Sequence, residues 1–371
     1  MFNALKLLVA VLLCVQSAPA QSLLALSISS KAVTLTADSS PKSLIEQGHF
    51  KQARTILEAQ LARNPKDADA LVLTARVKLA YRRTDEAITI AQQAISLQPN
   101  NAEAHIYLAD AYSRKAERAG WFEKIGLARK IKAELQQAMT LDPKNVDALD
   151  GMLDFYLEAP GVMGGSVSQA EEIANRMLAV DAVQGNLGRA RIAAHQKKPD
   201  EREAFQLKAV EAMPQSYEAL IGAADLYLQD HWNNLDKAAD YARKALKVDP
   251  TRTASYNVLA YVFATAERWG ELDELLASSE KQIPDNLVPY FVAGRTLIVK
   301  QKDPARAESC FRKYLSQPEP EGETPGFAAA RWRLGLALEK ENRREEALRE
   351  IQEAVRMDPR PEGSTKRPEA A

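Results

Sequence analysis

Residues 68–101 read ADALVLTARVKLAYRRTDEAITIAQQAISLQPNN. Apolar side chains recur at helical spacing in two runs, Leu71 to Leu79 and Ala87 to Leu97, divided by the polar Arg82-Arg83-Thr84-Asp85. Two short helices joined by a tight turn account for that pattern. Pro99 closes the unit, because proline cannot continue a helix and holds the residue before it extended.

The unit recurs in both directions along the chain. Its closing proline returns as Asn64-Pro65, Asp142-Pro143, Met213-Pro214, Asp249-Pro250, Ile283-Pro284, Gln317-Pro318 and Asp358-Pro359, and the gaps 65 to 99, 250 to 284 and 284 to 318 all equal 34. Five residues before the proline stands Ala94, Ala138, Ala209, Ala245 or Ala354; twelve before it stands Ala53, Ala87, Ala238 or Ala347. Small residues at fixed offsets let neighbouring helices approach closely, and a proline at a fixed offset ends each second helix at the same height.

On these residues the chain resembles the tetratricopeptide repeat (TPR) family. Tyr256 with Leu259-Ala260, and Leu334-Gly335, match the large residue and the Leu-Gly/Ala pair of that family's first helix. The resemblance implies an all-α fold, a right-handed α-solenoid of about nine helix pairs over residues 42–359. Such an array is one continuous body, since each pair buries its apolar side only against the next.

The flanks read differently. Residues 1–20, MFNALKLLVAVLLCVQSAPA, combine Lys6, an apolar run from Leu7 to Val15 and the small-x-small end Ala18-Pro19-Ala20. That is the pattern of a secretory signal peptide cleaved after Ala20, with export to the periplasm or cell envelope as the consequence. The apolar run is too short to span a bilayer. Lipidation at Cys14 would want a small residue where Leu13 stands; an uncleaved anchor is the other alternative. Residues 21–41, rich in Ser and Thr, read as a linker, and residues 360–371 as a disordered tail.

With 49 basic against 50 acidic residues, no global field attracts nucleic acid or an anionic membrane surface. The expected partner is another protein or peptide, with no nucleic acid and no membrane insertion of the mature chain. Cys14 and Cys310 are the two cysteines; the second, beside Phe311, reads as a buried small hydrophobe. The four histidines, His49, His105, His195 and His231, form no HExxH pair, and no CxxC, GxSxG or Walker-type stretch occurs. No enzyme, metal or cofactor is therefore expected, and His105, at a large-residue position, reads as packing.

Several pairs depart from the period, the last of them through the polar excursion EPEGET between Pro318 and Pro325, and the third and fourth most tellingly. Pro99 to Pro143 spans ten residues more than 34, and the excess around KAERAGWFEK (115–124) suggests a longer excursion between the helices, with Trp121 and Phe122 at its tip. These two aromatics either anchor a partner or fold back on their own repeat. In the fourth pair Ala182 replaces the proline, and the excess is Ala159-Pro160-Gly161-Val162-Met163-Gly164-Gly165. Gly161, Gly164 and Gly165 either cradle a carboxylate or phosphate at the following helix or serve a lengthened turn. The stretch also looks like one found in some exported bacterial TPR proteins, including TatT-type periplasmic components linked to TRAP solute transporters.

One constellation stands out. Asp147, Asp150, Asp154 and Glu158, spaced by three, four and four, share a helix face. The TPR resemblance places that face on the concave groove where partners lie, with Arg76, Asp110, Arg114, Arg189, Lys197 and Asp225 at comparable phases. The stripe is either an acidic patch for a basic peptide or a ladder paired with Arg114 and Arg189. TPR domains that clamp a peptide's C-terminal carboxylate use Lys, Arg and Asn here, which Asp150 and Asp154 contradict. At the far end Phe291, Arg295, Ile298, Val299, Trp332 and Leu336 suggest an apolar stretch of groove. The reading is a non-catalytic, exported scaffold that holds partners in a TPR groove; the alternative is a TatT-like component of a solute transport system, contacting a small ligand or a solute-binding protein.

Overall fold

A computed structural model describes residues 40–322 and 325–358; the expected signal peptide, nearly all of the linker and the expected tail lie outside the described residues. Eighteen α-helices follow one another as nine antiparallel pairs. The first four pairs are α1 (Pro41–Gln47) with α2 (Phe50–Arg63), α3 (Ala68–Ala80) with α4 (Thr84–Leu97), α5 (Ala102–Arg118) with α6 (Trp121–Leu141), and α7 (Val146–Glu158) with α8 (Val167–Val180). Then come α9 (Ala182–His195) with α10 (Pro199–Ala212), α11 (Tyr217–Leu228) with α12 (Leu235–Val248), and α13 (Thr253–Thr265) with α14 (Trp269–Gln282). The last two are α15 (Val288–Val299) with α16 (Pro304–Leu315), and α17 (Phe327–Lys340) with α18 (Arg344–Met357). The described residues contain no β-strand.

The periodic proline does more than end a helix. Two residues after it comes the N-cap of the next pair: the side chains of Asp67, Asn101, Asn145 and Ser216 each accept the amide of the third residue on. Within pairs, the turn is equally regular. Gly48, Arg82, Lys197, Glu267, Gln301 and Asn342 take positive φ, and each is followed by an amide that reaches back five residues at 2.8–3.0 Å, as from Arg83 to the Lys78 carbonyl. This is a Schellman closure of the first helix. The repeated alanines sit where the helices cross, Ala53, Ala87, Ala94, Ala138, Ala209, Ala238, Ala245 and Ala354 being completely buried.

Pair three corrects the sequence reading. The ten extra residues make no loop; they lengthen both helices, to Arg118 and back from Trp121, with a two-residue connection at Ala119-Gly120. The KAER stretch before Ala119-Gly120 and the Glu123-Lys124 pair after it are good helix formers, so extension is the cheaper course. Helix α1 starts at Pro41, because the Ser40 hydroxyl caps it and proline suits the first turn.

The array also returns on itself, which the repeat pattern did not announce. His49 Nδ1 lies 3.2 Å from Asp285 Oδ2 in the turn after α14. The Lys51 amide donates to Glu321 Oε1 at 2.7 Å in the segment after α16, and Arg54 pairs with Glu319. Residues 319–322 are thus a contact surface: Glu321 is 1% exposed, and Gly322, at positive φ, packs against the Phe50 ring. One superhelical turn brings the end of pair eight against pair one.

Candidate partner-binding groove

The acidic stripe forms as expected on α7, but its partner is a residue the sequence reading passed over. Arg191 on α9 donates from Nη1 to Asp154 Oδ1 at 2.8 Å and to Asp150 Oδ2 at 3.2 Å, while its Nη2 pairs with Asp150 Oδ1. Asp150 is 4% exposed, so the bidentate pairing meets a need of burial. Arg189, the expected partner, faces away: it donates to Asn175 at 2.8 Å and its guanidinium lies over the Phe205 ring. Two residues on a helix are about 200° apart, so only one of these arginines can face α7.

Asp147 lies toward the entrance, half-buried, near Asp150, Glu103, Lys42 and Asp110; burial, reinforced by those carboxylates, lifts its carboxyl to about 7. Burial in the concave wall also raises Asp154, against the pull of Arg191. Its side chain nevertheless keeps 44% of its surface exposed, as befits a crowded but open groove. Here Glu103, Asp110, Asp147, Asp150, Asp154 and Glu158 face Lys42, Arg114 and Arg191, six carboxylates to three cations. Arg114 has Glu117 at 3.8 Å. The excess is negative.

Helix α1 enters this wall from the open side. Lys42 Nζ stands 3.2 Å from Glu103 Oε1 on α5, and Glu46 lies within electrostatic reach of Glu103 and of Glu218 in the first turn of α11 and Arg252 at the N-cap of α13, which pair with each other at 2.7 Å. The first helix therefore bridges pairs three and six across the concave side, and a lysine of the chain itself sits among the acids.

The other expected groove residues divide. Arg76 is half-buried, its guanidinium 5.9 Å from the Phe50 ring centre. Asp225 is 8% exposed, and burial, opposed by Arg202, raises its carboxyl to about 7. Phe291 leaves the groove altogether: it is 2% exposed, packed edge-on against Phe311 and Tyr314 under the Arg333 guanidinium. An aromatic at that phase fills the space between pairs eight and nine. Arg295 and Trp332 are half-buried and Val299 exposed, so the apolar stretch is narrower than expected.

The glycine loop resolves toward a turn. Gly161–Met163 form one turn of 3-10 helix. The Met163 amide donates to Pro160, Gly164 to Gly161, Gly165 to Pro160 and Ser166 to Tyr156, so these four amides serve the path of the turn itself. Gly165 is required by contact, since a Cβ there would stand 1.7 Å from the Ala159 carbonyl oxygen. Trp121 and Phe122 do not fold back; they are 53% and 88% exposed.

Among the described residues no group of three or more His, Cys, Asp or Glu is placed to hold a metal ion. His105 is spent on Glu134 at 2.6 Å and on the Pro99 carbonyl at 3.2 Å. Burial pushes the Cys310 thiol up to about 12. No described helix is long and apolar enough to cross a membrane.

Two tetratricopeptide-repeat family models match residues 44–94 and 297–360, and the model described as regulator of microtubule dynamics protein 1-3 matches residues 73–150. No curated protein matches the sequence. Among solved structures, yeast Tom70 is similar at 17% identity and a TM-score of 0.52, over 90% of this chain and 68% of that one. A tetratricopeptide repeat protein from Parabacteroides merdae aligns at 16% identity and a TM-score of 0.40, over 80% and 96%. A thermophilic TPR protein of Thermus thermophilus aligns at 20% and 0.35, over 59% and 95%. Both terminal portions match the repeat by sequence, and every pair between them except the fourth keeps its closing proline: the chain is a tetratricopeptide-repeat protein.

Proposed function

We propose that this protein is a non-catalytic scaffold of the cell envelope that holds a basic segment of another protein in its concave groove. The observation that carries the reading is the carboxylate excess around α7, where Arg191 neutralises only part of the charge of Asp147, Asp150 and Asp154. Lys42, seated beside Glu103 and Asp147, is the chain's own example of the side chain that this wall accepts. Export rests on the composition of residues 1–20. The solute-transport alternative draws less support from the glycine loop, where the amides of Met163, Gly164, Gly165 and Ser166 are bonded within the turn.

A panel of lysine- and arginine-containing peptides, each with an acidic counterpart of matched length, tests the reading by fluorescence anisotropy. Basic peptides should bind, more weakly as salt rises, and Asp147→Asn with Asp154→Asn should weaken them at least tenfold with helicity unchanged. Equal binding of acidic peptides, or of the variant, would refute it.

A further inference from the structure

The global balance of charge hides a local one. Residues 114–132, RKAERAGWFEKIGLARKIK, hold seven basic residues against two acidic, and they form the lengthened hairpin of α5 and α6. Lys132 Nζ is level with the neighbouring pair's turn, lying near Gly164. Phe122 is ten residues further along the helix, which at 1.5 Å per residue places the tip roughly 15 Å beyond that turn. Phe122 is the most exposed large apolar side chain of the described residues, and Trp121 precedes it.

The cations around this tip are not all committed. Lys115 pairs with Asp85 at 2.8 Å, and Lys130 and Lys132 lie over the rings of Tyr112 and Tyr156. Arg118, Lys124 and Arg129 make no ion pair among the described residues, and Arg118 and Arg129 are exposed. A protein partner for a projecting Trp-Phe wedge would need a matching pocket, whereas the interfacial layer of a bilayer takes aromatic side chains without one, and anionic headgroups attract the surrounding cations.

We propose that the tip of the α5–α6 hairpin docks this protein on an anionic phospholipid surface, with Trp121 and Phe122 entering the headgroup layer and Arg118, Lys124 and Arg129 facing the lipid phosphates. None of the five docking residues belongs to the carboxylate cluster around α7, so the inference stands apart from the peptide reading.

Flotation of the full chain with phosphatidylcholine vesicles, with and without about one third phosphatidylglycerol, tests it together with quenching of tryptophan emission by brominated lipid. The N-terminal apolar run of residues 7–15 can bind lipid by itself, so the decisive quantities are differences between variants of the same chain. Wild type should show bromolipid quenching on anionic vesicles that Trp121→Phe lacks. Trp121→Ala with Phe122→Ala should lower partitioning at least fivefold, and Lys124→Glu with Arg129→Glu should remove the preference for anionic over neutral vesicles. Identical quenching in wild type and Trp121→Phe, partitioning that the alanine pair leaves unchanged, or no binding of wild type to vesicles would overturn the proposal and leave the wedge to a protein partner.

Discussion

Lys51 and Glu321 lie 270 positions apart and meet at 2.7 Å, the amide of one donating to a carboxylate of the other that is 1% exposed, with the Lys51 ammonium 3.2 Å from the second oxygen. Beside them His49 faces Asp285, and Arg54 faces Glu319. A repeat array has no intrinsic reason to touch itself, because its stability is carried from neighbour to neighbour. These contacts join its first pair to its eighth and fix how wide the concave side can open.

The junction should respond to pH. Burial pulls the His49 pKa down, but the bond and charge of Asp285 outweigh it and the value is raised; burial raises the Glu321 carboxyl to about 7. For both groups the closed form holds its proton more tightly than the open one. Closure gains from both below their ordinary values and loses that gain as pH rises, for Glu321 between its ordinary range and about 7, and for His49 through its raised value. Asp285, lowered by His49 and Gln52 against the effect of burial, works the other way in stronger acid. Amide exchange of residues 44–57, corrected for intrinsic rates, should be slower at pH 5.5 than at pH 8; equal protection would remove the two groups from the junction.

Arg191 and Arg189 should differ sharply. Removing Arg191 leaves Asp150 buried and without its guanidinium, and should cost about 1–3 kcal/mol of stability, below the usual figure for a buried pair because Arg191 is itself partly exposed. Arg189→Ala, which loses a bond to Asn175, should stay within about 0.5 kcal/mol. Urea unfolding of the two variants checks both.

The glycine loop gives a similar contrast. Gly165→Ala drives a methyl into the Ala159 carbonyl and should destabilise by about 1–3 kcal/mol, whereas Gly161→Ala meets nothing within 4 Å and should cost under about 0.5 kcal/mol. Thermal melts decide; a costly Gly161→Ala would mean that the loop has a task beyond its own path.

Affinity for a basic peptide should rise with pH. With its carboxyl lifted to about 7 by burial and its acidic neighbours, Asp147 is largely neutral below that value and gains its charge above it, at a cost to the empty groove that a bound cation offsets. Binding at pH 8 should exceed binding at pH 6, and Asp147→Asn should flatten the difference.

How much of this was legible follows from what repeats. Prolines and alanines at constant offsets announce crossing helices, because each pair needs the same close approach; the nine pairs follow from those residues. Arg191 was missed for a definite reason. Counting nine residues from each N-cap gives Arg76, Asp110, Asp154 and Asp225, but in pair five the connection shrinks from four residues to Asp181 alone, which ends α8 and caps α9. With the proline gone the phase slips, and residue nine is the buried Ala190. Phe291 was placed in the groove because a first-helix position does not say which side a large ring fills. The junction was least legible, since contacts between residues that no repeat relates leave no periodic trace.

Closure of the superhelix is the claim on which the width of the groove depends, and one distance tests it most directly. Spin labels on cysteines introduced at the exposed positions Thr55 and Pro318, with Cys14 replaced by serine and Cys310 buried, should report a single short, narrow distance by double electron–electron resonance at pH 5.5. A broad distribution reaching the separations of an open spiral would contradict it.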